Sequence, residues 1–397
     1  MDPIQNPYTP GAGSRPPELA GREAEISAFR ILLERVRLGR PEKSLLITGL
    51  RGVGKTVLLN TFRDLAESAG FKTAETEVTH ETGFRQVMAR LGRRVLIELN
   101  PIEKVKNKVL QAARVFKAFT LKLPDGFEIG FDVDAARGKA DSGNLSEDLS
   151  DLFFALGEAA REKQAGVVFL FDEIQFLERP DLEALIAALH HATQRGLPVT
   201  VVGAGLPQLP KLAGEAKSYA ERLFNFPSID RLSDEAARKA LEKPAEEQRV
   251  AYEPAATTAI LEFTRGYPYF LQEFGKHVWN QAPRSPITFD DVIRVKPAVQ
   301  AQLDENFFRV RVGRTTVAER RYISAMASLG AGPYKTGDIA AELGTDSPRV
   351  APLRNQLINK GLVYSPSHGI TDFTVPQFDD FVRRAYPHRK MEGRRKK

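Results

Sequence analysis

The stretch SLLITGLRGVGKTVLLN, residues 44–60, constrains this chain more than any other. A short apolar run breaks into a turn holding three glycines and a lysine, then resumes as a second apolar run with helical spacing. Gly49, Leu50, Arg51, Gly52, Val53, Gly54, Lys55 and Thr56 satisfy GxxxxGK[ST], in the strand–turn–helix context that gives the pattern its meaning. The glycines let backbone N–H groups close around phosphate oxygens, and the helix that begins at the lysine and runs through Val57 adds the positive end of its dipole. Lys55 is then the cation for the β- and γ-phosphates, and Thr56 a ligand of Mg²⁺.

A partner motif lies downstream in GVVFLFDEIQFL, residues 166–177. An apolar strand delivers Asp172 to the carboxyl edge of a sheet, where it can hold the metal's water shell, and sets Glu173 beside it to polarise an attacking water. Together the two motifs imply ATP and Mg²⁺ as cofactors and hydrolysis of ATP to ADP and phosphate, with Lys55 and Glu173 as catalytic residues.

At roughly 150 residues per domain, 397 residues suggest two or three domains, and 42% hydrophobic content suffices for ordinary cores. No run approaches the ~20 apolar residues of a membrane span, and the polar, proline-rich start lacks the apolar block of a secretion signal, so a cytoplasmic protein is expected. The absence of cysteine excludes disulfides and thiolate metal sites. Among six histidines only His190 and His191 are neighbours, and adjacent helical side chains diverge. The net charge of +6 is concentrated at one end: Phe381–Lys397 holds eight Lys or Arg against Glu392 alone. A polyanion-binding arm and a solvated end both fit such a tail.

Strand patterns in SLLITG, FKTAETEVT, GVVFLFD and LPVTVVGAG alternate with helical ones, as in a parallel sheet covered on both faces. The expected fold is therefore α/β: a P-loop NTPase core, then a small helical domain, which the family resemblance given below makes a helical lid, and a C-terminal winged helix-turn-helix. The boundaries read as a flexible leader at 1–20, the ATPase core at 21–229, the lid at 230–310, the winged helix at 311–387 and a basic tail at 388–397. About 86 residues separate the second and third strands, far more than one crossover needs, which marks an insertion at about 100–143. It carries a basic helical stretch (Lys104, Lys106, Lys108, Arg114, Lys117), readable as a partner surface or a solvated face, and then a Pro-Asp-Gly hairpin.

In the C-terminal unit, AERRYISAMASLG, KTGDIAAELG and DSPRVAPLRNQLINKG read as three helices, with Ala340, Gly344 and Val350 at the small, turn and core positions of a helix-turn-helix. Two strands with a turn at His368-Gly369 would form a wing. In a DNA complex the third helix would present Arg349, Arg354, Asn355 and Gln356 to the major groove, while Lys360, Ser367 and His368 meet the backbone. Pro352 would bend that helix or mark its start.

LAGREAEI, GLRGVGKT and FLFDEIQFL together resemble AAA+ and STAND-type P-loop ATPases, especially archaeal-type ATPases with a C-terminal winged helix and the related origin-recognition initiators. The resemblance spans about residues 19–385. It implies that Gly21 and Arg22 approach the adenine, that VTVVGAG occupies a sensor strand from which the polar sensor residue is missing, and that Arg222 in SYAERLFNF is an arginine finger for a neighbouring subunit in an oligomer. It also implies that Gly266 and Pro268 of RGYPYFLQEFG pack near the nucleotide, with Tyr269 where initiators carry a sensor arginine. The expected function is an ATP-hydrolysing switch that binds duplex DNA according to nucleotide state. The alternative is a slow ATPase scaffold whose winged helix docks a protein.

Overall fold

The computed structural model describes residues 1–397 except 12, 80–82, 101–106, 122, 124–132 and 389–397. Five parallel strands form the central sheet: β1 (Ser44–Thr48), β2 (Lys72–Glu77), β3 (Val167–Asp172), β4 (Val199–Gly205) and β5 (Phe224–Asn225), in the order β2-β3-β4-β1-β5. Alternation along β3 shows why a nearly continuous apolar run is required. Val167, Phe169 and Phe171 enter one core beneath helices Leu145–Glu162 and Arg179–Gln194, while Val168 and Leu170 enter another beneath Glu23–Arg37 and Lys55–Ser68. Stacked pairs close both layers, Phe153 on Phe169 at 5.1 Å and Phe29 on Phe62 at 4.3 Å. The two-residue strand β5 was not anticipated, being too short to show a pattern.

Between β2 and β3 the chain forms helices Phe84–Leu99 and Asn107–Thr120 before the crossover helix Leu145–Glu162. The basic stretch is amphipathic: Val109, Ala112, Phe116 and Phe119 are buried, Lys108 and Lys117 are half-buried, and Lys117 donates to the Val133 carbonyl. Of its described cations only Arg114 is exposed. Lys104, Lys106 and the centre of the expected hairpin lie outside the described residues. Arg85, on helix Phe84–Leu99, joins the insertion to the crossover helix by donating to the Phe119 carbonyl at 3.2 Å and pairing with Asp148 at 2.5 Å.

Four helices, Asp234–Glu247, Pro254–Thr264, Pro268–Gln281 and Phe289–Leu303, make the lid. The last runs without a break through a π-helical turn, Asp304–Arg309, into Val310–Val312. The C-terminal unit then follows as helix Val317–Ser328, β6 (Tyr334–Lys335), helices Thr336–Glu342 and Ser347–Asn359, β7 (Val363–Tyr364), β8 (Ile370–Phe373) and helix Phe378–Ala385. Its antiparallel sheet has the order β6-β8-β7. The three expected helices and the two strands flanking the His368-Gly369 turn are present, and helix Phe378–Ala385 follows them. Pro352 lies inside the third helix and does not start it. Lid and C-terminal unit share one hydrophobic core, joined where Phe308 stacks on Phe381 at 5.2 Å.

The leader is not loose. Tyr8 is 3% exposed, and its hydroxyl donates to the Leu241 carbonyl at 2.6 Å and pairs with Tyr252 at 2.7 Å. Trp279 donates to the Asp2 carbonyl, and Thr9 N–H to Gln272. The expectation of a flexible leader is thus corrected. Tyr8 and Trp279 supply apolar faces and polar tips that find partners, a docking not visible from proline-rich composition. Gly275 makes room for it, since a Cβ there would lie 2.7 Å from the Tyr8 ring. Gly275→Ala is expected to unseat the strap, forfeiting about 1.5–3 kcal/mol of aromatic burial. Limited proteolysis checks this: the variant should be cut within residues 1–20 under conditions where the wild type resists, and equal resistance would count against it.

Candidate functional site

The phosphate loop leaves the carboxyl edge of β1, and helix Lys55–Ser68 begins directly behind it. Gly54, the helix N-cap, has φ +94°, a left-handed backbone that a side chain would strain. Lys55 is buried, and its ammonium donates to the carbonyls of Gly49 (2.9 Å) and Leu50 (2.8 Å). Burial lowers its pKa to about 8, against the opposing pull of Glu173 and Asp172. A phosphate would supply the anion this desolvated cation lacks.

Thr56 Oγ1 donates to Asp172 Oδ2 at 2.6 Å, so the two residues expected to serve Mg²⁺ meet at the loop mouth. Burial raises the pKa of Asp172, and the Thr56 bond opposes the shift. Oxygen donors suit Mg²⁺, and no group of three or more His, Cys, Asp or Glu able to hold a metal occurs among the described residues. The fit is to an ion completed by phosphate oxygens and water, not to a protein cage.

Glu173 occupies a left-handed turn at φ 51°. Its carboxylate accepts from the Gln175 amide and lies 3.7 Å from the Arg51 guanidinium. Gln175 in turn accepts from Leu206 N–H at 3.1 Å, just past β4. The small residues ending β4 now have a reason: a Cβ at Gly205 would lie 2.6 Å from Gln175 Oε1. Sequence reading missed Gln175, although its place two residues after Glu173 was a usable signal.

A cavity of about 580 Å³ opens in front of the loop, lined on the far side by Pro268, Tyr269 and Phe307 of the lid and by leader residues around Gly13. Tyr269 donates its N–H to the Gly52 carbonyl (3.4 Å), and Asn60 donates to the Gly13 carbonyl (3.1 Å). Val57 lies on the cavity wall. Arg22 reaches the same region, but its guanidinium is engaged with the carbonyls of Gly21, Val53 (3.0 Å) and Asp230 (2.7 Å). It braces the loop against the lid.

The C-terminal unit also touches the loop. Arg51 N–H donates to the Thr374 carbonyl at 2.8 Å, and its guanidinium passes so close to Gly361 that a Cβ there would lie 2.6 Å away. Nothing in the local sequence announces this contact between residues more than 300 positions apart.

Other predicted residues lie elsewhere. Arg222 precedes β5, whose Phe224 pairs with Ser44 at the start of β1, whereas the phosphate loop leaves its end. At about 3.3 Å per residue the separation is roughly 16 Å, so Arg222 does not reach the site of its own chain. Arg349, Asn355, Gln356 and His368 are exposed. Arg354 is half-buried and donates to Thr336 Oγ1 at 3.4 Å, so its expected exposure is corrected. Lys360 is exposed and paired with Glu319 at 2.6 Å, a carboxylate that also caps helix Val317–Ser328. Residues 389–397, most of the basic tail, lie outside the described residues.

Residues 18–202 match the AAA ATPase domain family, and residues 305–382 match a domain of unknown function. No curated protein matches the sequence. Among solved structures, the Walker-type ATPase of Pyrococcus abyssi superposes with a TM-score of 0.54 at 15% identity, covering 93% of this chain and 97% of that one. The RuvB Holliday junction branch migration motor of Thermotoga maritima gives 0.44 at 16% identity, over 91% and 96% of the two chains. Aeropyrum pernix ORC1 in complex with DNA gives 0.43 at 15% identity, over 93% and 94%. The first of these shows a shared fold along nearly the whole chain, and residues 18–202 carry the match to the AAA ATPase domain family.

Proposed function

We propose that the protein is an ATP-hydrolysing switch whose nucleotide state sets the position of its C-terminal unit, and that this unit binds duplex DNA. The observation that carries the reading is the bond from Arg51 N–H to the Thr374 carbonyl, because it joins the phosphate loop to the unit that would carry the output. Lys55 turns from the Gly49 and Leu50 carbonyls to the β- and γ-phosphates, and the loop N–H groups and helix dipole hold the same oxygens. Thr56 and Asp172 would hold Mg²⁺, which neutralises charge between the terminal phosphates. Glu173, steadied by Gln175, orients and polarises the attacking water. Because Arg222 does not reach the site of its own chain, the reading assigns it to a neighbouring subunit's site and so includes oligomers with composite sites.

On the C-terminal unit, Arg349, Asn355 and Gln356 project from helix Ser347–Asn359 and His368 from the turn beside it, a set able to meet base edges and phosphates. A protein-docking scaffold is the second reading. The bond of Arg354 to Thr336 and the ion pair of Lys360 with Glu319 favour it, since both cations already have partners within the unit.

Lys55→Ala is expected to weaken ATP binding by roughly 10- to 100-fold, the usual cost of a lost charged hydrogen bond. Glu173→Gln should bind normally and lose on the order of 10²- to 10⁴-fold in turnover. Calorimetric titration and a phosphate-release assay check the pair, and unchanged ATP affinity in Lys55→Ala would remove the nucleotide site.

If Arg222 acts across a boundary, mixing Arg222→Ala with Lys55→Ala protein should restore part of the turnover that each lacks. No recovery in demonstrated mixed oligomers would exclude the composite site.

For DNA, Arg349→Ala should cost ~1–3 kcal/mol on a preferred duplex if it makes a bidentate base contact, with little change on random sequence. Fluorescence anisotropy at fixed salt measures both. A full-length protein without DNA affinity in apo, ADP and ATP-analogue forms would leave the docking scaffold as the answer.

A further inference from the structure

Arg311 stands on the cavity wall opposite the phosphate loop, and neither motif nor resemblance assigns it a task. It follows the π-helical turn Asp304–Arg309, which pushes Phe307 against the loop: a Cβ at Gly52 would meet the Phe307 ring at 3.9 Å. The Arg311 guanidinium lies over that ring, 4.0 Å from its centroid, and donates to the Phe307 carbonyl. Phe307 is itself stacked on Tyr269 at 4.8 Å, so the cation's platform is fixed from two sides.

Its charge is unanswered. Among the described residues no carboxylate lies within ion-pair distance of Arg311, whereas Arg265, Arg383 and Arg384 of the lid and C-terminal unit pair with Asp380, Asp379 and Asp304. The charged groups that bear on Arg311 are Arg51 and Arg314, both positive, beside the Tyr269 hydroxyl. Desolvation, then Arg51 and Arg314, pull its pKa down to about 10 against the opposing pull of Tyr269, which still leaves it protonated at neutral pH. A half-buried cation among cations is costly unless an anion joins it. Arg51 fixes which end of the cavity this is, because it lies 3.7 Å from Glu173, beside Asp172 and Thr56, where the terminal phosphate would sit.

We infer that Arg311 binds the terminal phosphate of a bound nucleoside triphosphate, and is the group by which the chain distinguishes triphosphate from diphosphate. The inference rests on the nucleotide reading of the cavity. A planar guanidinium resting on an aromatic face is preorganised for a phosphate oxygen pair. The lid position at Tyr269, where the resemblance would place such an arginine, is filled by a ring that supports Arg311 instead. Because the neighbouring Phe308 stacks on Phe381 inside the C-terminal core, a phosphate that draws in Arg311 pulls on the joint between lid and C-terminal unit.

The test uses full-length protein, ADP and a non-hydrolysable ATP analogue. Arg311→Gln should lower analogue affinity 10- to 100-fold while changing ADP affinity less than threefold, and Arg311→Lys should restore part of the difference. In unsubstituted protein the analogue, and not ADP, should protect Arg311 from phenylglyoxal, read by mass spectrometry, which keeps the inference testable if the variants do not fold. Equal losses for both nucleotides, no loss, or equal protection by ADP would overturn it. Lys55→Ala separates the two claims: if that variant binds both nucleotides as the wild type does, the nucleotide reading itself falls. If it loses both while Arg311→Gln discriminates normally, only the role of Arg311 falls.

Discussion

The architecture turns on a phosphate loop gripped from outside its own sheet. Arg51 N–H is bonded to Thr374, the Gly52 carbonyl to Tyr269, and the Val53 carbonyl to Arg22. Three consecutive residues of the loop are therefore tied to the C-terminal unit, the lid and the start of the first core helix. A loop of this kind has few side chains with which to fix itself, and its glycines pay heavily in conformational entropy. Backbone bonds from three directions supply the rigidity that an anion-binding cradle needs before the anion arrives.

Those bonds also explain the cations around the cavity. Arg22 and Lys55 are both buried, yet they behave differently because their partners differ. Arg22 donates to carbonyls from three segments and acts as a brace whose removal would leave buried acceptors unmet. Lys55 donates to two carbonyls of its own loop, contacts that it can exchange for phosphate without unfolding anything.

The P-loop core was legible because its signals are local. Strand, glycine turn and helix follow one another within residues 44–60, and the apolar run before Asp172 fixes a central strand; both appear where expected. What escaped depends on distant pairing. The strap formed by Tyr8 exists because Gly275 and Leu241 leave a slot for it, the short strand β5 because β1 needs a neighbour, and Gln175 matters because β4 ends in residues without bulk. The exposed helix face was only partly readable: periodicity placed helix Ser347–Asn359, but the turn of Arg354 toward Thr336 and the seizure of Lys360 by Glu319 depend on a neighbouring helix.

The lid and the C-terminal unit share one core, so a displacement at residues 304–312 cannot be absorbed between them as it would be at a flexible linker. Described contacts that bind this body to the sheet domain, from Arg22 to Asp230, from Tyr269 to Gly52 and from Arg51 to Thr374, gather around the nucleotide cavity. A ligand shifts such an arrangement only as far as it discriminates between its states. The β-phosphate, cradled by the loop, would be met in much the same way whether the body is near or far. With Arg311 in the role proposed for it, the terminal phosphate would touch both sides at once, and the seam between loop and lid would be the physical seat of the proposed switch.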